Sequence, residues 1–376
     1  MTVMPEPVDV DRDRTAGPTT SPCDACTARA WLLGRMAGHI EQARARIDSV
    51  LELGDEELIA ALGGRQRDEL RDELAGVDLT AVRSRSQRAG LEAICACDRA
   101  YPSALRALGA PPAVLHVAGG LARLLELLEA DPVAIVGSRR ASEYGRDTAR
   151  SLGRDLGLAG LTVVSGMALG IDSAAHAGAL EAGAPTVAVL PGSADQPYPA
   201  GKRALHRRIL AGGAAVSELG PGPRVRRWMF LARNRIIAAL ASMTVVVEAG
   251  EYSGSLVTAR IAGELGRPVG AVPGRVTAPQ AAGPNALLAG GACLVRGPQD
   301  VLNHLFGVGV RRAPAGRPEP PPELRALLAA VVEGHGTPAA LERAGFEPDA
   351  GLRGLAALEL GGYVRRGAGG RFTVAP

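Results

Sequence analysis

The sequence predicts an α/β protein whose core is a mostly parallel sheet with helices on both faces. Between residues 133 and 306, short apolar, β-branched segments alternate with helical patterns. These segments are apolar at most positions rather than at alternate positions, and several are followed by Gly, Ser or Pro. Continuous apolar strands are typical of parallel sheets covered on both faces, and such sheets bind ligands at the carboxyl ends of their strands.

Seven strands follow from these apolar segments. They are predicted at Val133–Val136, Thr162–Val164, Thr186–Leu190, Ala214–Ser217, Met243–Val247, Val269–Val272 and Ala292–Val295. Helical patterns separate most of them, as expected for parallel strands joined by crossover helices.

The remaining sequence divides into flanking regions. Residues 1–27 are polar, proline-rich and without periodicity, so we expect a disordered tail. Residues 28–112 show helical periodicity and then a proline-containing bridge, expected to be an extended crossing rather than a helix. The core is assigned to residues 113–307 and a proline-rich linker to residues 308–322. Residues 323–376 suggest three helices and a hairpin, which together predict a winged helix.

Composition excludes several classes of protein. The net charge of +3 is too small to indicate nucleic-acid binding by itself. The first residues lack the apolar segment of a secretory signal, and no apolar run is long enough to span a membrane. The odd number of cysteines indicates reduced thiols, so we expect a cytoplasmic protein.

The segment from Val133 to Arg140 (VAIVGSRR) predicts an anion site. A buried strand that ends in a tight turn before a helix presents backbone N–H groups to an anion. The two arginines add permanent charge in a shape suited to phosphate. Residues 248–258 (EAGEYSGSLVT) repeat the arrangement with small hydroxyl residues. Glu248 could serve there as a general acid or base, or could orient Arg233 or Arg235.

The stretch from Gly222 to Arg235 (GPRVRRWMFLARNR) combines five arginines with Trp228 and Phe230. Arginines bind phosphates and aromatic rings stack on bases, so this pattern favours a binder of single-stranded nucleic acid. A salt-bridged surface helix is the alternative.

Other polar residues favour structural roles. Asp172, Ser173 and His176 tempt a catalytic interpretation, but no G-x-S-x-G element accompanies them. We therefore expect Asp172 to cap a helix and His176 to be packed. Cys23 and Cys26 could form half of a zinc site with Cys95 and Cys97, but the C-x-C spacing of the second pair argues against it. No metal, cofactor or catalytic residue is predicted.

Taken in order, the motifs resemble the DNA-processing protein A family (DprA/Smf). The matching segments are VAIVGSR, SGMALGIDSAAH, AVLPG, SEL, RNRIIAAL, VVVEA with SGSLVTAR, and AVPG. Asp98–Pro102 with Pro111 and Pro112 is similar to the family's bridge into a Rossmann-like core. The helical start resembles the family's sterile-alpha-motif-like (SAM-like) domain and the end its winged helix, more loosely than the core does.

The resemblance implies a non-enzymatic protein of natural transformation that binds single-stranded DNA. It would protect incoming strands and load RecA on them, usually as a homodimer. By position, it implies DNA contacts at Ser138, Arg139, Gly166, Arg224, Arg226, Arg227, Phe230, Arg233, Asn234, Arg235, Ser253, Gly254 and Ser255. Leu231 replaces the family's usual proline, and Ala-Gly-Lys follows Tyr198-Pro199 in place of a Glu-Asn pair.

Two other classes remain open. A nucleotide-cleaving enzyme of nucleoside-monophosphate phosphoribohydrolase type would use the same phosphate pocket with Glu248. Its usual P-G-G-x-G-T-x-x-E loop is missing from this sequence. A transcription regulator could read duplex DNA through the winged helix, but the segment Ala350–Leu360 carries only one basic residue, Arg353.

Overall fold

A computed structural model describes residues 21–313 and 320–374 of the chain. Its first part is a group of six short helices. They are α1 (Asp24–Arg35), α2 (Ala37–Gln42), α3 (Ile47–Glu52), α4 (Asp55–Leu62), α5 (Arg67–Ala75) and α6 (Leu79–Arg88). Helix α1 begins inside the predicted tail of residues 1–27, because Leu32 and Leu33 are fully buried and Asp24 suits its first turn. The tail prediction is therefore wrong from Asp24 onward, and residues 1–20 lie outside the described ranges.

The core is a nine-stranded sheet in the order β1-β2-β6-β5-β4-β3-β7-β8-β9. All seven predicted strands are present. They are β3 (Val133–Val136), β4 (Val163–Ser165), β5 (Thr186–Val189), β6 (Ala214–Ser217), β7 (Met243–Val246), β8 (Val269–Ala271) and β9 (Cys293–Leu294), preceded by β1 (Glu92–Cys95) and β2 (Val114–Ala118). Strands β3 to β9 pair in parallel.

Strands β1 and β2 correct the predicted domain boundary. β1 pairs with β2 and β2 pairs with β6, both antiparallel, so the bridge placed in residues 28–112 begins inside the sheet. Their prolines stand between the strands rather than within them, around the short helix α7 (Ser103–Arg106). Proline at strand ends is compatible with a sheet.

Helices cover both faces of the sheet, as predicted. They are α8 (Leu121–Glu129), α9 (Glu143–Leu158), α10 (Ile171–Glu181), α11 (Arg203–Gly212), α12 (Arg227–Leu240), α13 (Gly254–Glu264), α14 (Ala282–Ala289) and α15 (Pro298–Phe306). Along β3, Ala134 and Val136 face the core shared with α8, α12 and α13, whereas Val133 and Ile135 face the core shared with α9, α10 and α15. This two-residue alternation between two apolar cores is what makes the strand apolar throughout.

The order of strands reverses at β3. From β3 the chain proceeds outward through β4, β5 and β6, then returns to place β7, β8 and β9 on the other side. The loops after β3 and β7 therefore diverge and leave a crevice at the carboxyl edge of the sheet. Such a reversal is where open α/β sheets bind ligands.

The last part has its own small core. It contains α16 (Pro322–Val332), α17 (Pro338–Arg343), α18 (Pro348–Leu360) and a hairpin of β10 (Val364–Arg366) and β11 (Phe372–Val374). The three helices and hairpin agree with the predicted elements, and the winged-helix assignment stays a prediction. Arg365 of the hairpin forms ion pairs with Glu143 and Asp147 on α9. Most of the predicted linker, residues 314–319, lies outside the described ranges. No helix in the described part of the chain is long and apolar enough to cross a bilayer.

Candidate nucleic-acid interface

A cavity of about 620 Å³ opens at the crevice between β3 and β7. Four segments form it: the loop after β3, the loop after β4 with the first turn of α10, the loop after β7 with the start of α13, and one face of α12. We call it the rim pocket. It contains eight of the predicted site residues, namely Ser138, Arg139, Phe230, Arg233, Asn234, Ser253, Gly254 and Ser255.

The loop after β3 is fixed by hydrogen bonds of its own backbone. The Ser138 N–H donates to the Glu248 carbonyl at 2.6 Å, and the Ser138 carbonyl accepts from the Ile171 N–H at 3.2 Å. The Ser138 hydroxyl accepts from the Arg140 N–H at 3.1 Å. These bonds tie the turn to the strands and helices on both sides, while Arg139 and Arg140 remain exposed at its tip.

Arg139, Phe230 and Tyr198 contact one another in sequence, Arg139 with Phe230 and Phe230 with Tyr198. The Arg139 guanidinium carbon lies 4.6 Å from the centre of the Phe230 ring. The edge of Phe230 meets Tyr198, with ring centres 5.2 Å apart. Phe230 is half-buried and Tyr198 is exposed. The arrangement combines a cation–π contact with an accessible aromatic surface, next to a positive charge.

The opposite wall of the rim pocket is the beginning of α13. Ser253 precedes its first residue, and the Ser253 hydroxyl accepts from the Ser255 N–H at 3.4 Å and lies 2.8 Å from the Ser255 hydroxyl. Asn234 of α12 donates its side-chain N–H to the Gly254 carbonyl at 3.1 Å, which holds this loop against α12. A helix start with two hydroxyl groups favours an anion.

Arg233 lines the buried back of the rim pocket rather than its exposed rim. Its guanidinium is buried, donates to the Val189 carbonyl at 3.2 Å and lies 3.7 Å from the Asp172 carboxylate. Burial raises the pKa of the Asp172 carboxyl and lowers the pKa of the Arg233 guanidinium, and in each case the charge of the partner opposes the shift. A side chain at Gly166 would collide with this guanidinium, so Gly166 contributes space rather than a contact.

The capping role predicted for Asp172 is wrong. Gly170 precedes the first residue of α10, and Asp172 lies in the first turn. Its carboxylate instead accepts from the backbone N–H groups of Gly166 and Ala168, at 3.2 and 3.4 Å. Asp172 thus holds the loop after β4 and pairs with Arg233.

Five residues of the α12 segment lie outside the rim pocket. Arg235 is buried and donates to the Glu218 carboxylate at 2.6 Å, so it does not reach the rim pocket. Trp228 is fully buried, and its indole N–H donates to the Ala37 carbonyl at 3.0 Å, so it cannot stack on a base. Three exposed arginines lie at the start of α12, outside the rim pocket: Arg224, Arg226 and Arg227.

The groups considered for catalysis have structural partners. The Glu248 carboxylate accepts from the Ser142 N–H at 2.8 Å and from the Ser142 hydroxyl, so it holds the start of α9 rather than either arginine. The packed position predicted for His176 is confirmed, since its Nδ1 lies 2.8 Å from the Thr186 hydroxyl. The Ser173 hydroxyl donates to the Ala168 carbonyl at 2.6 Å. None of these three side chains forms a nucleophile–base pair with another.

Comparison with known proteins places this core in one family. The family model of DNA recombination-mediator protein A matches residues 92–306, more than half of the chain. The chain belongs to this family. The matched range begins at β1, in agreement with the boundary that the structure gives.

Three members of the DNA recombination-mediator protein A family illustrate the similarity. A Mycobacterium tuberculosis relative named for DNA processing (DprA) is 45% identical over 213 residues, which are 57% of this chain and 54% of that relative. The chain thus spans about half the length of the first curated relatives it matches. The crystal structure of DprA from Streptococcus pneumoniae has a TM-score of 0.61 at 31% identity and covers 76% of this chain and 99% of its own. A Helicobacter pylori DprA structure, titled for its single-stranded DNA binding mode, has a TM-score of 0.50 at 32% identity and covers 54% of this chain and 92% of its own.

In this family member, the sequence-based prediction of the site omitted two aromatic residues. Tyr198 completes the stack on Phe230, and Tyr252 lines the rim pocket with 93% of its surface exposed. The signal for Tyr252 was present, because it stands beside the small hydroxyl residues that mark the α13 loop. The spacing along the sequence also indicates which side of α12 faces the pocket. The residues of that side lie at i, i+3, i+4 and i+7: Phe230, Arg233, Asn234 and Ile237.

Proposed function

We propose that the chain binds single-stranded DNA at the rim pocket, without cutting it. The observation that carries this proposal is the stack in which the exposed Arg139 lies 4.6 Å from the centre of the Phe230 ring, across the pocket from the start of α13. A phosphate would meet Arg139 and the N–H groups of α13, while a base would meet the aromatic surface. Single-strand binders combine these two elements, and they need little sequence preference.

The charge distribution supports an anionic ligand. Arg139 and Arg140 are exposed at the pocket against one exposed carboxylate, that of Glu251, because Asp172 is already paired with Arg233. The exposed arginines at positions 224, 226 and 227 would extend the basic surface along the strand. A polymer is therefore a better fit than one nucleotide. The hydrogen bonds from Ser142 to the Glu248 carboxylate support a structural role for this residue over the acid or base of the enzyme alternative.

We assign the biological setting from the family. The Helicobacter pylori relative is described by its single-stranded DNA binding mode, and the family is named for mediating recombination. We propose that this chain acts in natural transformation, protects incoming strands and loads RecA on them as a homodimer. RecA loading predicts that the chain shortens the lag of RecA filament growth on single strands coated with a single-strand-binding protein; an unchanged lag would contradict it.

The binding site is tested by fluorescence anisotropy with a labelled poly-dT strand and a matched duplex, over a series of salt concentrations. Arg139→Ala should weaken binding to single strands of every sequence. It should also reduce the slope of log affinity against log salt by about 0.7, the value for one phosphate contact on a single strand.

Arg123→Ala is the matched control. Arg123 is also exposed, but it lies on α8, which follows β2. The end of β2 pairs with the start of β6, so Arg123 lies at the edge of the sheet opposite to the rim pocket. It should leave affinity and slope unchanged. Equal losses in the two variants would indicate non-specific attraction, and wild-type slope in Arg139→Ala would remove the rim pocket as the DNA site. Preference for the duplex would transfer the proposal to the C-terminal helices.

A further inference from the structure

Four of the five cysteines lie close together in space. They come from two pairs that are distant in sequence, since Cys26 and Cys97 are 71 residues apart. The thiol sulfurs of Cys23, Cys26 and Cys95 all lie within 4.8 Å of one another. Cys97 is not part of that closely spaced group of three, but its sulfur lies 3.6 Å from the Cys26 sulfur. All of the cysteines are free thiols, and Cys293 belongs to a different strand, β9. We call these four residues the cysteine cluster.

The local structure explains why the poor C-x-C spacing still yields a convergent set. Cys23 and Cys26 are three residues apart at the start of α1, so their side chains lie on the same face of the first turn. Cys95 ends β1, and Cys97 follows two residues later in the turn closed by the Asp98 N–H and the Cys95 carbonyl. This turn places the Cys97 sulfur 3.6 Å from the Cys26 sulfur, so both pairs face the junction between α1 and the sheet.

The sulfur–sulfur distance is too long for a disulfide and fits a metal site as well as two thiols in contact. A zinc–sulfur bond of about 2.3 Å in a tetrahedron places neighbouring sulfurs about 3.8 Å apart, whereas a disulfide requires about 2.05 Å. The 3.6 Å separation of Cys26 and Cys97 agrees with the edge of such a tetrahedron.

The backbone around the cluster also suits bound thiolates. The Cys26 backbone N–H hydrogen-bonds to the Cys23 sulfur. Hydrogen bonds of this kind orient metal ligands, and a coordinating thiol is deprotonated outright.

We propose that one zinc ion binds at the cysteine cluster, with four thiolate ligands: Cys23, Cys26, Cys95 and Cys97. Four protein ligands leave no open position, so the site is structural rather than catalytic. It fastens the start of α1 to the edge strand β1. The contact there is otherwise small, formed by Cys26 and Cys95 with Ala93 and Val114. The ion thus fixes the helical region to the sheet at a point remote from the rim pocket.

The first experiment measures metal in the purified full-length chain after growth in zinc-supplemented medium. Elemental analysis should give about one zinc per chain. Replacement by Co²⁺ should produce intense thiolate-to-metal absorption and the visible bands of a tetrahedral sulfur site. Zinc-free protein, a disulfide revealed by the loss of two hydrogens in the intact mass, or the broad absorption of an iron–sulfur cluster would each overturn the proposal.

Two variants separate the site from adventitious binding. Cys97→Ser changes an exposed ligand and should fold, yet it should lose most of the bound zinc and the cobalt spectrum, with a melting temperature lowered by several degrees. Cys293→Ser is the control and should retain all three properties of the wild type. Zinc retained in full by Cys97→Ser would refute a four-cysteine site. Stepwise titration of the wild type with a mercurial, with released zinc followed by a chromogenic chelator, gives the same answer without any substitution.

Discussion

The rim pocket and the polar layer behind it contain the same kinds of residue in opposite circumstances. At the rim, Arg139 is exposed and contacts only the face of an aromatic ring among the contacts that the structure gives it. Behind it, the guanidinium groups of Arg233 and Arg235 are buried against Asp172 and Glu218. At the rim, Arg139 offers its positive charge to a ligand. The buried ion pairs behind it hold the loops that position Arg139.

This difference separates binding from folding. Substitutions in the polar layer behind the rim pocket should change the free energy of unfolding, and substitutions at the rim should change affinity for DNA with little effect on stability. The predictions below test that separation, beginning with the largest effect.

Removing one member of a buried ion pair should be the most damaging change. Glu218→Ala leaves the Arg235 guanidinium buried without its partner, which is expected to lower the free energy of unfolding by about 3–5 kcal/mol. Denaturant titration followed by circular dichroism measures this change.

The double variant Glu218→Leu with Arg235→Met is its control. It removes both charges, and apolar replacement of a buried pair is often neutral or stabilising, so it should recover most of the loss. Both folded proteins should bind poly-dT as the wild type does. A selective loss of affinity in the double variant would show that Arg235 contacts DNA after all.

The two buried histidines should make stability depend on pH. Burial lowers the pKa of His176 to about 3 and the pKa of His116 to about 4. Below pH 6.5 the unfolded chain binds protons that the folded chain does not, so the free energy of unfolding falls as the pH falls. By pH 5 the expected loss is about 2 kcal/mol for each histidine. Denaturant titrations from pH 8 to pH 5 measure it.

His116→Gln should remove about half of that loss, provided that the variant folds at pH 8. His304→Gln, at an exposed position of α15, should leave the pH dependence as it is. A pH profile that is flat between 6.5 and 5 in the wild type would contradict the buried, neutral state of both histidines.

The smallest expected effect on stability, and the clearest on binding, belongs to Phe230. Phe230→Ala removes the ring beneath Arg139 and should weaken binding to poly-dT by about 1–3 kcal/mol, the range for a base-stacking aromatic residue. Phe230→Tyr keeps the ring and should bind nearly as well. Wild-type affinity in Phe230→Ala would restrict the site to phosphate contacts.

The sequence was sufficient for the parallel core because those strands are buried on both faces and carry an unbroken apolar signal. It was insufficient for β1 and β2, which form the antiparallel edge of the sheet. Prolines and turns lie between these two strands, and β1 ends in a cysteine. Their strand character depends on the pairing of β2 with β6 and of β1 with β2, which no local pattern reveals.

The site shows the same limit in a single helix. Residues two apart on a helix point in nearly opposite directions, so Trp228 and Phe230, like Arg233 and Arg235, have different surroundings. Composition marked the stretch as a binding segment, but only packing decides which side faces the pocket. Partners from distant elements determine that choice. The Glu41 carboxylate accepts from the Trp228 backbone N–H, and the Glu218 carboxylate accepts from the Arg235 guanidinium.

Trp228 gives the helical region a mechanical role. Its ring, with Met229 and Ala232, belongs to the same apolar core as Leu32, Met36 and the neighbouring helices. The far side of the same helix presents Phe230 and Asn234 to the rim pocket. We therefore expect the first helices and α12 to unfold as one cooperative unit, and a chain shortened to begin at β1 to lose the packing that holds this wall of the rim pocket in place.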